Sequence, residues 1–301
     1  MEKIKKIWDS IHRFMTKTGL TYVYYWLGPY LIPQSKILCW LLDYFDRRGA
    51  MDKILQSKKF FEDNAARIKK NLALFSDDES RHVYENIILY RGSRDRKYVK
   101  AAMKSKYNAM YFDSDIITPQ NGECFLDCGA FWGENSIAYQ KFLKKHGCEN
   151  PKVIAIEPDA KNFEHMVKNL RKKMKNEIHT FHCGVWSKEA NLSFQSNINT
   201  SCKISKDGGI QIHVKTIDSI VEQTGLEVTY LKMDVEGSEM EALKGAEQTI
   251  TRFRPKLALS IYHSDEHMLE IIEYIHEKYP AYKLYVRHYT GFFAETVLYC
   301  V

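Results

Sequence analysis

The chain has 301 residues, 45% hydrophobic and 27% charged, which is ordinary globular composition. It is long enough to bury a full core, so nothing calls for a disulfide or metal staple. Seven cysteines, an odd count with no C-x-x-C pair, point to a reducing cytosol and against a structural zinc site.

The net charge of +6 is unevenly placed. Residues 1–118 hold 22 Lys and Arg against 14 Asp and Glu, and the remainder holds 22 against 24. The basic excess suits a solvated, Lys-rich helical surface or an anionic partner such as an acidic glycan, a nucleotide or a lipid headgroup.

From residue 1 to about 115 the apolar residues recur at helical spacing. Ile4, Ile7, Trp8, Ile11 and Phe14 form one stripe, and Ile37, Leu38, Leu41, Leu42 and Phe45 a second. Val83, Ile87, Ile88 and Tyr90 form a third, after the acidic helix start Asp78-Glu79-Ser80. The aromatic run from Leu20 to Ile32 is interrupted by Gly28 and Pro29 and is too short to span a membrane. It reads as a buried hairpin or as an interfacial segment touching a membrane surface. No signal peptide follows the basic N-terminus, so a cytoplasmic location is expected. Residues 1–115 are expected to form a helical accessory domain serving acceptor choice or assembly.

Beyond residue 122 the pattern becomes strand, helix, strand. Short apolar strands fall at Glu123–Cys128, Val153–Glu157, Ile178–Cys183, Tyr230–Asp234 and Lys256–Tyr262. Helices fit at Asn135–Lys145, Asn162–Lys173, Ser238–Thr249 and Glu266–Lys278. This alternation predicts an α/β domain over 116–301, with a mostly parallel sheet covered on both faces. Tyr282–Arg287 and Thr296–Cys300 follow one another without a helix, which predicts an antiparallel pair at one edge. Leu192–Phe194 and Gln211–Val214, around Asp207-Gly208-Gly209, read as a hairpin.

The first strand runs into Asp127-Cys128-Gly129-Ala130-Phe131-Trp132-Gly133-Glu134-Asn135. In open α/β sheets ligands bind beyond the carboxyl ends of the strands. A dinucleotide loop needs G-x-G-x-x-G, and Phe131 breaks that cradle. S-adenosylmethionine (SAM) carries no phosphate. Asp127 is expected to face its cationic part and the loop amides after Gly129 its carboxylate, so Gly129, Ala130, Gly133, Glu134 and Asn135 line the cofactor. Glu157-Pro158, ending the second strand, suits the two ribose hydroxyls, because a carboxylate accepts both. Gly184 and Val185, after the third, are placed near adenine. In the fourth strand Lys232, Asp234 and Glu236 share a face if the extended form persists. Asp234 also lines the cofactor, and Glu239 begins the next helix, capped by Ser238.

These stretches resemble the FkbM family of SAM-dependent methyltransferases. The resemblance rests on Leu126-Asp127-Cys128-Gly129-Ala130 with Gly133-Glu134, on Glu157-Pro158, and on Lys232-Met233-Asp234-Val235-Glu236-Gly237 followed by Leu243-Lys244-Gly245-Ala246. It extends over residues 112–301, and Cys128 stands where Val or Ile is commoner. It implies a class I, Rossmann-like methyltransferase fold and O-methylation of a glycan or natural-product acceptor. His263, following the fifth strand, is expected to be the general base, because a free imidazole titrates near neutral pH. Asp234 and Glu236 then orient acceptor hydroxyls, and Lys232, Tyr262 and His288 contact the acceptor. No metal ligand is assigned; a divalent metal held by Asp234 and Glu236 is the alternative role for that pair. The rival functions are a nicotinamide-dependent oxidoreductase and a SAM- or partner-binding module without catalysis. Nucleic acid is disfavoured as a partner, since no basic–aromatic stripe is present.

Overall fold

A computed structural model describes residues 51–103, 110–196, 202–204 and 210–301. The two stripes before residue 51, the aromatic run and Asp207-Gly208-Gly209 lie outside the described residues. Among the described residues four helices precede the first strand: α1 (Met51–Asp63), α2 (Ala65–Leu74), α3 (Asp78–Ser93) and α4 (Arg96–Ala102). Helix α3 is capped one residue earlier than its acidic start suggested, by Asp77, whose carboxylate accepts the Ser80 amide at 2.7 Å. Its stripe of Val83, Ile87, Ile88 and Tyr90 is buried. Among the described residues no helix is long and apolar enough to cross a membrane.

The alternating region gives β1 (Cys124–Cys128), α5 (Glu134–Lys145), β2 (Lys152–Ile156), α6 (Ala160–Lys173) and β3 (Ile178–Phe181). A small insertion follows: β4 (Gly184–Val185), β5 (Ala190–Ser196), β6 (Cys202–Ile204) and β7 (Ile210–Lys215). The chain then continues through α7 (Ile217–Thr224), β8 (Tyr230–Met233), α8 (Glu239–Lys244), α9 (Glu247–Phe253), β9 (Lys256–Ser260), α10 (His267–Lys278), β10 (Leu284–His288) and β11 (Thr296–Cys300).

Seven strands form one sheet in the order β10-β11-β9-β8-β1-β2-β3. The pairs β1–β2, β2–β3, β1–β8 and β8–β9 are parallel. Strand β11 runs against its neighbours β9 and β10. The expected antiparallel pair is therefore present, with β11 inserted inside and β10 outermost. The chain moves outward from β1 to β3 and then returns to build the other half, so the order reverses between β1 and β8. That crevice is where such sheets hold ligands. The expected hairpin is the β5–β7 pair, and it belongs to a second sheet of order β4-β7-β5-β6.

Strand alternation sorts the core onto the two faces. Leu126, Ile154, Leu231, Met233 and Leu257 meet Val83, Tyr84 and Ile87 of α3 and Ile272 of α10. Phe125, Val153, Tyr230 and Ala258 meet Ile137 and Leu143 of α5, Leu170 of α6, and Tyr111, Phe112 and Ile117. The helix expected over Ser238–Thr249 is two, α8 and α9, broken at Gly245-Ala246. A Cβ on Gly245 would sit 2.1 Å from the Trp186 carbonyl oxygen, so the bend brings the chain against the insertion.

The expected division near residue 115 marks a change of periodicity and not a gap in packing. Helix α3 supplies one face of the sheet's own core. Tyr84 donates to the Met268 carbonyl at 2.9 Å, and the Val286 amide donates to Ser80 Oγ at 2.9 Å. Backbone bridges join Phe75 to Leu284 and Met103 to His288.

Residues 112–301 expressed alone should therefore fail to fold. Removing the rest strips Val83, Tyr84, Ile87 and Val99, all nearly or fully buried. At roughly 1.5–3 kcal/mol per large buried side chain, that loss is comparable with a whole domain's stability of about 5–15 kcal/mol. A cooperative melt of the fragment at the temperature of the full chain, followed by near-ultraviolet circular dichroism, would show an independent domain.

Candidate active site at the carboxyl ends of β1, β2, β8 and β9

Asp127 and Lys232 are cross-strand neighbours in the β1–β8 register, and both are fully buried. Lys232 Nζ lies 3.1 Å from Asp127 Oδ1 and donates to the carbonyls of Cys128 (3.2 Å) and Gly129 (2.8 Å). Ser136 donates to Asp127 Oδ2 at 2.7 Å. Burial pushes the Lys232 ammonium down, but the Asp127 charge outweighs it and raises its pKa. Both expectations for this pair are corrected. Asp127 does not face a cofactor cation and Lys232 does not meet an acceptor; together they bolt the loop after β1 to β8.

The loop amides are largely consumed within the fold. Gly129 and Ala130 both donate to the Ile156 carbonyl, at 3.1 and 2.9 Å, and Phe131 donates to Glu157 Oε2 at 2.8 Å. The glycines serve close packing more than ligand approach. At Gly129 (φ 75°) a Cβ would fall 1.9 Å from the Asp234 carbonyl oxygen, and at Gly133 (φ 82°) 2.9 Å from Leu170. Beyond Gly133, Glu134 and Asn135 open α5. The Phe131 and Trp132 rings stack at 5.0 Å, with Phe131 exposed at the lip.

Glu157 stands where the ribose was expected. Its Oε1 accepts the Asp159 amide at 3.0 Å, and each carboxylate oxygen retains capacity for a further donor. Burial pushes its carboxyl up to about 7, against the pull of the Asp159 and Phe131 amides. A Cβ on Gly184 would lie 3.9 Å from Pro158, so the segment after β3 lies against the end of β2, with Val185 buried beside it. The chemistry present suits SAM: a carboxylate at the second strand end with acceptor capacity to spare, the exposed Phe131 ring and the start of α5.

The shared face expected for Lys232, Asp234 and Glu236 does not exist, because β8 ends at Met233. Glu236 (φ 55°) and Gly237 (φ 97°) turn the chain into α8. Asp234 accepts Tyr111 Oη at 2.8 Å and Tyr262 Oη at 3.2 Å. Glu239 is in the first turn of α8 as expected, but Ser238 makes no side-chain cap. Instead the buried Glu239 carboxylate folds back and accepts the amides of Val235 (2.9 Å) and Gly237 (3.4 Å).

His263 sits among these acids. Its Nε2 lies 3.5 Å from Asp234 and 3.6 Å from Glu236, and its Nδ1 lies 3.0 Å from Glu239. Burial pushes its pKa down, but Glu236 and Glu239 outweigh it and hold it at about 11. With these neighbours alone His263 is an imidazolium at neutral pH, so the free general base expected there is corrected. His288 is corrected too. It is fully buried in β10 with Nδ1 2.9 Å from Thr296 Oγ1, and burial lowers its pKa to about 4.

Four participants escaped the sequence reading. Tyr111 orients Asp234. Glu239 and His267, whose Nδ1 lies 3.1 Å from Glu239, extend the cluster. Burial, then the Asp234 charge, pushes the Glu295 carboxyl up to about 8. Only Glu239, three residues after Glu236 in a charged run, left a signal in the sequence.

The profile of the methyltransferase FkbM domain matches residues 127–282, just over half of the chain. The structure is similar to that of the methyltransferase FkbM from Methylobacillus flagellatus, with a TM-score of 0.70 and 27% identity. That likeness covers 81% of this chain and 60% of the other, so the chain spans well under two thirds of its relative's length. A fibrillarin from Aeropyrum pernix with natively bound S-adenosyl-L-methionine overlaps 60% of this chain and 67% of its own, at 11% identity and a TM-score of 0.41. No curated protein matches the sequence.

Two outcomes follow from this geometry. Lys232→Met leaves Asp127 charged, buried and unpaired, which should cost about 3–5 kcal/mol; an unchanged urea midpoint would contradict the anchoring role. A carboxylate accepts hydroxyl donors best when ionised, and the Glu157 carboxyl, where the ribose is expected, holds a proton up to about pH 7. SAM affinity should therefore rise roughly tenfold from pH 6 to pH 8, since binding at the lower pH must expel that proton. Calorimetry on the wild type and on Glu157→Gln checks this, the variant binding weakly with no such slope.

Proposed function

Because the chain belongs to the FkbM family of methyltransferases, we propose that it transfers the methyl group of SAM to a hydroxyl oxygen of a carbohydrate or related polyhydroxylated acceptor. The observation that carries the acceptor class is the lining of the crevice beyond β8 and β9. Asp234 and Glu236 stand there, offering carboxylate acceptors suited to a sugar's hydroxyl donors, while the Tyr111 and Tyr262 phenols hold Asp234 in place. The same carboxylates repel a phosphate backbone, which disfavours nucleic acid.

SAM, when bound, supplies an electrophilic methyl carbon on a sulfonium leaving group. Glu157 holds the ribose, and the loop anchored by Lys232 sets the cofactor's position against the tip of β8. Alignment of the acceptor oxygen about 3 Å from the methyl carbon is the main requirement. The hydroxyl proton leaves to Glu236, the acid of the cluster with the most exposed side chain, 41%. His263 keeps Asp234 and Glu236 together beside it. The O–C bond forms as the C–S bond breaks, and S-adenosylhomocysteine departs.

The helices before residue 103 contribute to acceptor choice by position. Arg91 of α3 pairs with Asp265 and donates to the Tyr262 carbonyl at 2.9 Å, fixing the loop that carries Tyr262 and His263.

Incubating the protein and methyl-labelled SAM with separate fractions of sugar nucleotides, lipid-linked glycans and RNA should label a carbohydrate fraction. Label confined to RNA would overturn the acceptor class. Glu236→Gln should leave SAM affinity nearly unchanged while turnover drops by roughly 10²–10⁴-fold, the range for losing a general base. Normal turnover across pH would remove Glu236 from the mechanism.

A further inference from the structure

Carboxylates and a histidine gather beyond β8 and β9. One oxygen of Asp234, one of Glu239 and one ring nitrogen of His263 lie within 4.8 Å of one another. They arrive from three places: the tip of β8, the first turn of α8 and the segment after β9. Glu239 is fully buried, and the His263 side chain is only 10% exposed. Neither ring nitrogen of His263 makes a hydrogen bond, and neither do Glu239 Oε2 and His267 Nδ1, although all four atoms are buried. The nitrogens come close to carboxylate oxygens without the alignment of a hydrogen bond. Buried polar atoms are rarely left so, and several of them gathered beside the Asp234, Glu239 and His263 ligand atoms mark a site for something further.

The surroundings hold these donors in place. The Tyr111 and Tyr262 hydroxyls fix Asp234, and the backbone amides of Val235 and Gly237 fix Glu239. Such outer hydrogen bonds on ligating side chains are a regular property of metal centres. Lys232 is already engaged by Asp127 and two backbone carbonyls, and Arg91 by Asp265 and the Tyr262 carbonyl. Glu236 adds further negative charge beside His263.

We propose that Asp234, Glu239 and His263 bind a divalent first-row transition-metal cation, with Glu236 at the mouth of the site. The mixed set of two carboxylates and an imidazole favours manganese, iron or zinc over calcium and magnesium, which prefer oxygen alone. Binding displaces any proton from the ligating imidazole to solvent. The role of the ion rests on the hydroxyl-methylation reading given above. A metal-bound acceptor hydroxyl is more acidic, as water is on zinc, so its proton passes to Glu236 as the methyl group moves from sulfur to oxygen.

The test uses the full chain, stripped with EDTA and dialysed, without cofactor or acceptor. Manganese chloride is titrated and followed by electron paramagnetic resonance, with zinc chloride by calorimetry as a second probe. One site per chain is expected, together with a rise in melting temperature. His263→Gln and Asp234→Asn should each weaken binding by 100-fold or more while retaining a native circular dichroism spectrum. Glu239→Gln can disturb the α8 turn, so the decision does not rest on it. Absence of manganese and zinc binding by the wild type would overturn the proposal, and so would full binding by both His263→Gln and Asp234→Asn. Label transfer from SAM separates the two readings. A bound ion with no methylation of any hydroxyl keeps the metal site and sinks the acceptor assignment. Methylation unaffected by EDTA, in a chain that binds neither ion, does the reverse.

Discussion

The site hangs on one buried ion pair. Asp127 and Lys232 face each other across the β1–β8 register, at the point where the strand order reverses. Burying two charges costs several kcal/mol each, and mutual attraction offsets this only when geometry is good and the remaining valences are filled. The approach is close and most of the other valences are filled, although Asp127 Oδ1 meets the Lys232 ammonium as an ion pair and not as an aligned hydrogen bond. Ser136 takes the second Asp127 oxygen, and the carbonyls of Cys128 and Gly129 take Lys232 protons. The pair thus clamps the cofactor loop to the neighbouring strand, and Gly129 lets the loop reach the Asp234 carbonyl. Shifting β8 by one residue would separate the charges, so the pair also specifies the register.

Backbone strain gathers at the same end of the sheet. Seven non-glycine residues among those described have positive φ, and four of them, Tyr111, Phe131, Glu236 and Glu295, belong to the site. Such conformations cost of order 1–3 kcal/mol each and persist where the surroundings impose them. Here they bring side chains from separate loops to one place. The rigid sheet and the α3 contacts through Arg91 supply the constraint. The result is a carboxylate-rich crevice at the carboxyl ends of β8 and β9, beside the loop after β1.

Much was legible before any coordinates. Alternating apolar strands and helices gave the parallel sheet, because each element buries one face at its own period. The K-x-D-x-E-G and L-K-G-A stretches pointed to the family, and Glu157 stands at its predicted strand end. The reading failed where a residue's neighbour is distant in the chain. Lys232 reads as an active-site charge until Asp127 is placed 3.1 Å away. His263 reads as a base with a pKa near 6.5 until Glu236 and Glu239 surround it. Tyr111 and Glu295 carry no local pattern at all, being single residues in irregular segments.

The division has a physical basis. Periodicity, glycine spacing and strand-end chemistry are local properties, set by backbone geometry over a few residues, so the sequence determined the fold class and the methyltransferase family. Charge state, burial and the identity of partners depend on through-space contacts between residues some 100 or more apart, such as Asp127 with Lys232 and Tyr111 with Asp234. Only the tertiary structure decided which acids anchor, which face the crevice, and that the first helices share the sheet's core, because electrostatic energy and packing follow distance in space and not separation along the chain.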